Sequence, residues 1–223
     1  MANPNQYTLA REAQGVVSTN KVLKNTYLLL AATLGFSAFT ALVSMALAMP
    51  PWVYMVSVIV AMVLGIFVLP KAAESAKGVG VIFLITGLLG FGLGSILSMY
   101  LALPNGPGIV ATAFAGTAVI FLGLSGYALT SKRNFNFIGG FLFAGMMVVV
   151  VAMIANLFFN MPALALAISG AIILLMSGYI LFDTSRIQRG EETNYIMATY
   201  GIYLAIFNIF ISLLQILGIM GDE

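Results

Sequence analysis

Cysteine and histidine are both absent from the sequence. Their absence excludes a disulfide, a thiolate nucleophile, a histidine acid or base, and the usual zinc site, and with them most familiar intramembrane enzyme chemistries. Compartment stays open on this ground, because a chain without cysteine suits an oxidising or a reducing side equally. Charge is scarce as well. Only 7% of the 223 residues are Asp, Glu, Lys or Arg, against about 25% in a soluble domain. With 61% hydrophobic residues and a mean hydropathy of +1.08, a water-soluble fold is excluded. The net charge of +2 comes without a basic stripe, so nucleic acid is not an expected partner.

Long apolar runs are what the chain has instead. They fall at 25–49, 51–70, 79–101, 107–130, 136–159, 162–182 and 195–219. Each is long enough for a hydrocarbon core of about 30 Å, which takes about 20 helical residues. The expected fold is an all-α integral membrane protein of seven transmembrane helices. Residues 25–219 form one membrane domain, 1–24 a cytosolic tail and 220–223 a short external C-terminus. The tail is polar, holds Pro4 and Glu12 and lacks a small-residue cleavage site, which marks a retained segment rather than a signal peptide. Pro4, Pro50, Pro51, Pro70, Pro104, Pro107 and Pro162 all lie in connections or at the edges of runs, so unbroken helices are expected.

Lysine and arginine occupy alternate connections only. Arg11, Lys21 and Lys24 are in the tail, Lys71 and Lys77 follow the second run, Lys132 and Arg133 the fourth, and Arg186 and Arg189 the sixth. The intervening connections and the C-terminus have none. Such alternation requires an odd number of helices, and the positive-inside rule places the tail in the cytosol and Asp222 and Glu223 on the external, periplasmic side. Tyr27, Trp52, Tyr54, Tyr100, Tyr127 and Tyr195 stand near predicted ends, where amphipathic rings favour the headgroup layer. Gly90, Gly94 and Ser98, and Gly140 with Ala144, are spaced for close helix contacts. The glycines at 90–94 lie inside an apolar run with no preceding strand, which excludes a phosphate cradle.

In the seventh run Gly201, Ala205, Asn208, Ser212 and Gln215 recur at intervals of three and four, placing small and polar groups on one stripe. Uncompensated polar atoms are costly in hydrocarbon, so the stripe should face protein or water. Asn208 and Gln215 act either as interhelical hydrogen-bond glue, worth about 1 kcal/mol or less, or as the lining of a polar path. Asp183, the acid adjoining the end of the sixth run, opposes the helix dipole. Physics favours a local pair with Arg186 one turn on; the alternative is a cation or proton site at the inner mouth. Asn156 in the fifth run is expected to be buried and paired, with the seventh-run stripe as one partner. Glu191 and Glu192 read as a solvated loop, since Ca²⁺ wants roughly six to eight oxygens, and no cofactor is expected.

Leu181-Phe182-Asp183-Thr184-Ser185-Arg186-Ile187, Gly190-Glu191-Glu192-Thr193-Asn194-Tyr195, Ala198, Tyr203, Asn208 and Phe210 resemble the Bax inhibitor-1, or transmembrane Bax-inhibitor-motif, family. Lys21-Val22-Leu23-Lys24-Asn25-Thr26-Tyr27 and Gly139-Gly140 extend the resemblance over nearly the whole chain. It implies six helices wrapped around a central seventh. The bacterial members most similar to this chain are associated with the membrane-anchored AAA protease FtsH, as substrate and as a modulator that restrains it. That implies a non-enzymatic protein of the inner membrane with an unstructured tail as the protease's handle. Other members are pH-sensitive calcium leak channels in which two aspartates, on the last two helices, share a proton. The first matches Asp183, but the position of the second, three residues before Asn208, is Ala205. Sharing a proton needs both carboxylates, so the paired gate is absent, and a Ca²⁺ or proton leak toward Asp183 is the alternative function.

Overall fold

The computed structural model describes the backbone of residues 4–131 and 133–221, and side chains within 19–131 and 133–220. Lys132, Asp222 and Glu223, with the side chains of Arg11 and Glu12, lie outside the described residues. The elements are α1 (Pro4–Ala46), α2 (Trp52–Val63), a π-helical turn (Leu64–Val68), α3 (Leu69–Ala72), α4 (Lys77–Leu101), α5 (Gly106–Ser131), a 3₁₀ turn (Asn136–Ile138), α6 (Gly139–Phe159), α7 (Pro162–Gln188) and α8 (Tyr195–Gly221). Among the described residues there is no strand, and seven helical stretches are long and apolar enough to cross a membrane.

Three expectations change. Helix α1 begins at Pro4, so the tail expected to be unstructured is helical across its described residues. The sixth span runs to Gln188, one and a half turns past the end of its apolar run, because backbone hydrogen bonding continues through the polar residues that follow. The second span is not a continuous α-helix: Pro70 lies inside it, and the π-helical turn at Leu64–Val68 precedes that proline. A proline inside a helix lacks the N–H for the carbonyl four residues back and its ring crowds that carbonyl, which disrupts the regular ladder.

Helix α8 is the centre of the bundle. The core of its span is 56% buried, against 11% for the span containing α6. Helices α1, α4, α5 and α7 pack along α8, while α2 packs chiefly on α4 and α6 on α7. The central seventh span implied by the resemblance is present, with two of the surrounding spans forming an outer layer. Helices α1 and α4 approach closely because α4 carries glycine at the crossing. A Cβ at Gly90 would stand 2.2 Å from the Ser37 carbonyl oxygen, and one at Gly94 2.3 Å from that of Ala41. Such close backbone approach is how membrane helices gain packing without a hydrophobic driving force. Gly140 makes no comparable contact; Gly139 and Gly145 are the α6 glycines that meet α7, at Phe182 and Leu175.

Candidate functional site

The stretches that carry the family resemblance converge at the basic end of the bundle. Asp183, Thr184 and Ser185 occupy the last turns of α7, and three successive positions on a helix point in three directions. Asp183 turns toward α8, where a Cβ on Gly201 would lie 2.6 Å from its Oδ2. Thr184 is 3.4 Å from the Tyr27 hydroxyl of α1. Ser185 donates to the Arg133 carbonyl at 3.1 Å and accepts from the Phe135 amide at 3.4 Å. Nearby, the Thr199 hydroxyl of α8 reaches the Thr26 carbonyl at 3.2 Å and its own helix's Tyr195 carbonyl at 2.7 Å.

Arg186 does not pair with Asp183. Its guanidinium lies over the Phe182 ring, 5.4 Å from the centroid, and its charge partner is Glu192 at 3.8 Å. The reason is direction: the Asp183 carboxylate is directed at Gly201, whereas Arg186 reaches the α7–α8 connection. No hydrogen bond to Asp183 is present among the described residues, and the space left by Gly201 is what admits its carboxylate against α8.

The α7–α8 connection is a loop with Glu191 at the surface, as expected, and polar contacts also tie it into a knot. Arg189 holds Glu191 through Nε to Oε1 at 2.7 Å and also donates to Asn136 Oδ1 at 2.8 Å, to the Arg133 carbonyl and to the Ser185 hydroxyl. Asn136 donates in turn to Glu191 Oε2 at 2.7 Å. Two hydrogen bonds, from Arg189 first and Asn136 second, pull the Glu191 carboxyl down from 4.5 to about 2, because both favour its charged form. Asn194 caps α8, its Oδ1 accepting from the Ile196 and Met197 amides at 2.9 and 3.2 Å, while its Nδ2 donates to the Ala73 carbonyl at 2.9 Å. The knot's residues were not legible as a cluster, since Asn136 and Arg189 lie far apart in the chain. The Asn194 cap is missing from the sequence reading too, although an Asn immediately before a long apolar run is a helix start signal that could have found it.

The polar stripe of α8 faces α7. Ser169 of α7 donates to Gln215 Oε1 at 2.9 Å, so Gln215 is interhelical glue. Ala205 is 1% exposed and packs with Met176 and Ile180 of α7 and with Ile209. Asn208 spends its amide on the Leu204 carbonyl of its own helix at 2.8 Å, and Ser212 is buried. Asn156 does not meet this stripe. Its Oδ1 accepts from the Met161 amide at 3.1 Å and its carbonyl from the Asn160 amide, so it closes the α6–α7 turn at the opposite end. Among the described residues no cluster of three or more acidic residues is arranged to hold a metal.

Sequence comparison agrees with this geometry. The family model described as inhibitor of apoptosis-promoting Bax1 matches residues 19–222. An Escherichia coli K12 protein named Modulator of FtsH protease YccA is 46% identical over 214 residues, covering 96% of this chain and 97% of its own length. A membrane protein of Vibrio cholerae is 49% identical over 221 residues, 99% of both chains, and a Pseudomonas aeruginosa protein 45% identical over 220 residues, 98% of both. A protein of another E. coli strain, O6:H1, also 46% identical over 214 residues, is named Inner membrane protein YccA. Seven apolar spans and these relatives make the chain a multi-pass protein of the bacterial inner membrane. Its match over most of its length, and the convergence of the matching stretches at one end of the bundle, place this chain in the Bax inhibitor-1 family.

Proposed function

We propose that this chain binds the membrane-anchored AAA protease FtsH and restrains its proteolysis of membrane substrates, without catalysing a reaction itself. The observation that carries the reading is the 46% identity, over nearly the whole of both chains, to the E. coli protein named Modulator of FtsH protease. Residues 1–24 serve in this reading as the cytosolic handle for the protease, and the seven spans hold the chain beside it. Deleting residues 1–20 should lengthen the protein's lifetime in cells containing FtsH and leave it unchanged in cells lacking the protease. Equal turnover of the full and shortened chains would count against engagement through this segment. Failure of the full chain to co-purify with FtsH from detergent-solubilised membranes would count against the partnership itself.

A second reading rests on Asp183, a carboxylate inside the sixth span that faces Gly201 of α8 and has no hydrogen bond among the described residues. It makes Asp183 a cation or proton site, with Asn208, Ser212 and Gln215 above it and Arg186 at the mouth. Purified protein in proteoliposomes should then pass Ca²⁺ or protons faster than empty vesicles, and Asp183→Asn should change the flux. No flux above empty vesicles, or a flux indifferent to that substitution, removes this reading.

A further inference from the structure

A cavity of about 410 Å³ lies between α1, α4, α5 and α8. Its α1 wall extends from Leu34 to Met45 and its α5 wall from Val110 to Phe121. These are the later half of α1's span and the earlier half of α5, while the α8 lining, Tyr203 to Phe210, lies around the middle of that helix, so the cavity runs from the middle of the bundle toward the end away from the basic connections. Leu42 and Phe114 line it and are nevertheless 63% and 66% exposed. Ala38, also in the wall, is exposed too. The void therefore opens sideways between α1 and α5, which stand apart at this level while both pack on α8.

Its floor is Tyr203, Ile206, Phe207 and Phe210 of α8, the face opposite the Gly201–Gln215 stripe. The polar atoms of the wall are already engaged. The Ser37 and Tyr203 hydroxyls are 2.7 Å apart, Tyr203 donates to the Thr86 carbonyl at 3.4 Å, and Thr117 donates to the Ala113 carbonyl at 2.8 Å. No hydroxyl proton of the wall is left to donate, the rest of the lining is apolar, and apolar cavities stay dry. The size is that of a small-molecule site, which is characteristically apolar. An empty void would forfeit the dispersion contacts of its whole lining. At this depth in a bilayer the molecule at hand is hydrocarbon.

We propose that this cavity is a lipid site: it takes one acyl chain of a bilayer phospholipid, from the leaflet away from the basic connections, entering between α1 and α5. Met45 and Leu42 at the entrance are flexible enough to follow such a chain.

The sequence has a single tryptophan, Trp52, so the test uses a Trp52→Phe background. One reporter is Phe207→Trp, on the cavity floor and 8% exposed; the other is Phe143→Trp, on α6 and 66% exposed. Both are reconstituted in vesicles of phosphatidylethanolamine and phosphatidylglycerol whose acyl chains carry bromine near mid-chain. Bromine quenches tryptophan only on close approach. The floor reporter should lose emission to the same extent as the exposed one. Filling the cavity with Ala38→Leu, or separately Ala118→Leu, should restore the floor reporter's emission and leave the exposed reporter quenched. The proposal is overturned if the floor reporter keeps its emission in brominated vesicles, if its quenching survives both filling substitutions, or if it is quenched only when brominated free fatty acid is added to unbrominated vesicles.

Discussion

Gly201 and Asp183 face each other across the α7–α8 contact. Alanine at 201 would gain up to about 1 kcal/mol of helix propensity, yet its Cβ would stand 2.6 Å from Asp183 Oδ2, and the short aspartate side chain must move away from α8. We expect Gly201→Ala to be neutral or destabilising in the native background and stabilising in an Asp183→Ala background. The difference in unfolding free energy between backgrounds should be about 1 kcal/mol or more. Thermal unfolding in detergent of the two single variants and the double variant measures it; equal shifts in both backgrounds would contradict the contact. Sequence reasoning placed Gly201 on the stripe and Asp183 at the end of the sixth run, but not against each other. The mismatch arose because that run was ended at 182, where apolar residues stop, although the helix continues to Gln188. The i,i+3 spacing of Asp183 and Arg186 says that two side chains are near but not which way each turns; the partner of Arg186 is Glu192.

At the scale of elements, the connection between α7 and α8 fixes how the basic end closes. Asn194 has two tasks there, an acceptor task as the α8 cap and a donor task toward Ala73 at the end of α3. Asn194→Asp keeps the first and loses the second, while Asn194→Ala loses both. Stability in detergent should fall in the order native, Asp, Ala, the alanine variant by about 1 kcal/mol or more from the cap alone; an aspartate variant as unstable as alanine would mean the cap contributes nothing. Glu191 gives the same connection a pH dependence. Its carboxyl is depressed from 4.5 to about 2 in the folded chain, so the unfolded state binds more protons between those values. The stabilisation is complete above 4.5 and is lost as pH falls toward 2. Melting temperatures of the native protein and Glu191→Gln should therefore converge as the pH is lowered through that window, and a constant gap would rule the interaction out. These connections were the least legible part of the chain. Five of the seven spans are legible to within two residues because apolar length is a local signal, and the first and sixth miss by six at their polar ends, whereas the knot joins Asn136 and Arg133 to Arg189 and Glu191 across more than fifty positions. The π-helical turn before Pro70 is illegible for a related reason: a proline at the end of an apolar run reads as its edge, whereas the helix outlasts the run.

For the whole molecule, the two faces of α8 divide the labour. Its small and polar stripe adheres to α7, with Ala205 packed against Met176 and Ile180. Its opposite face borders the lateral cavity. The stripe was legible from spacing; which neighbour it faces was not, because periodicity gives a direction around one helix and says nothing about what stands there. The charge pattern, by contrast, bears on the molecule as a unit. Arg133, Arg186 and Arg189 gather at one end through the contacts that also bring Tyr27 to Thr184 and Asn194 to Ala73. A cluster of this kind resists translocation, so the expected orientation has that end in the cytosol. Since no native cysteine interferes, single-cysteine variants report the orientation directly. Ser75→Cys lies in the exposed connection between α3 and α4, and Ala102→Cys in the exposed connection between α4 and α5. A membrane-impermeant maleimide should label the second in intact spheroplasts and the first only after lysis. The reverse pattern would invert the molecule, put residues 1–24 out of reach of a cytosolic protease domain, and remove the basis for treating them as its handle.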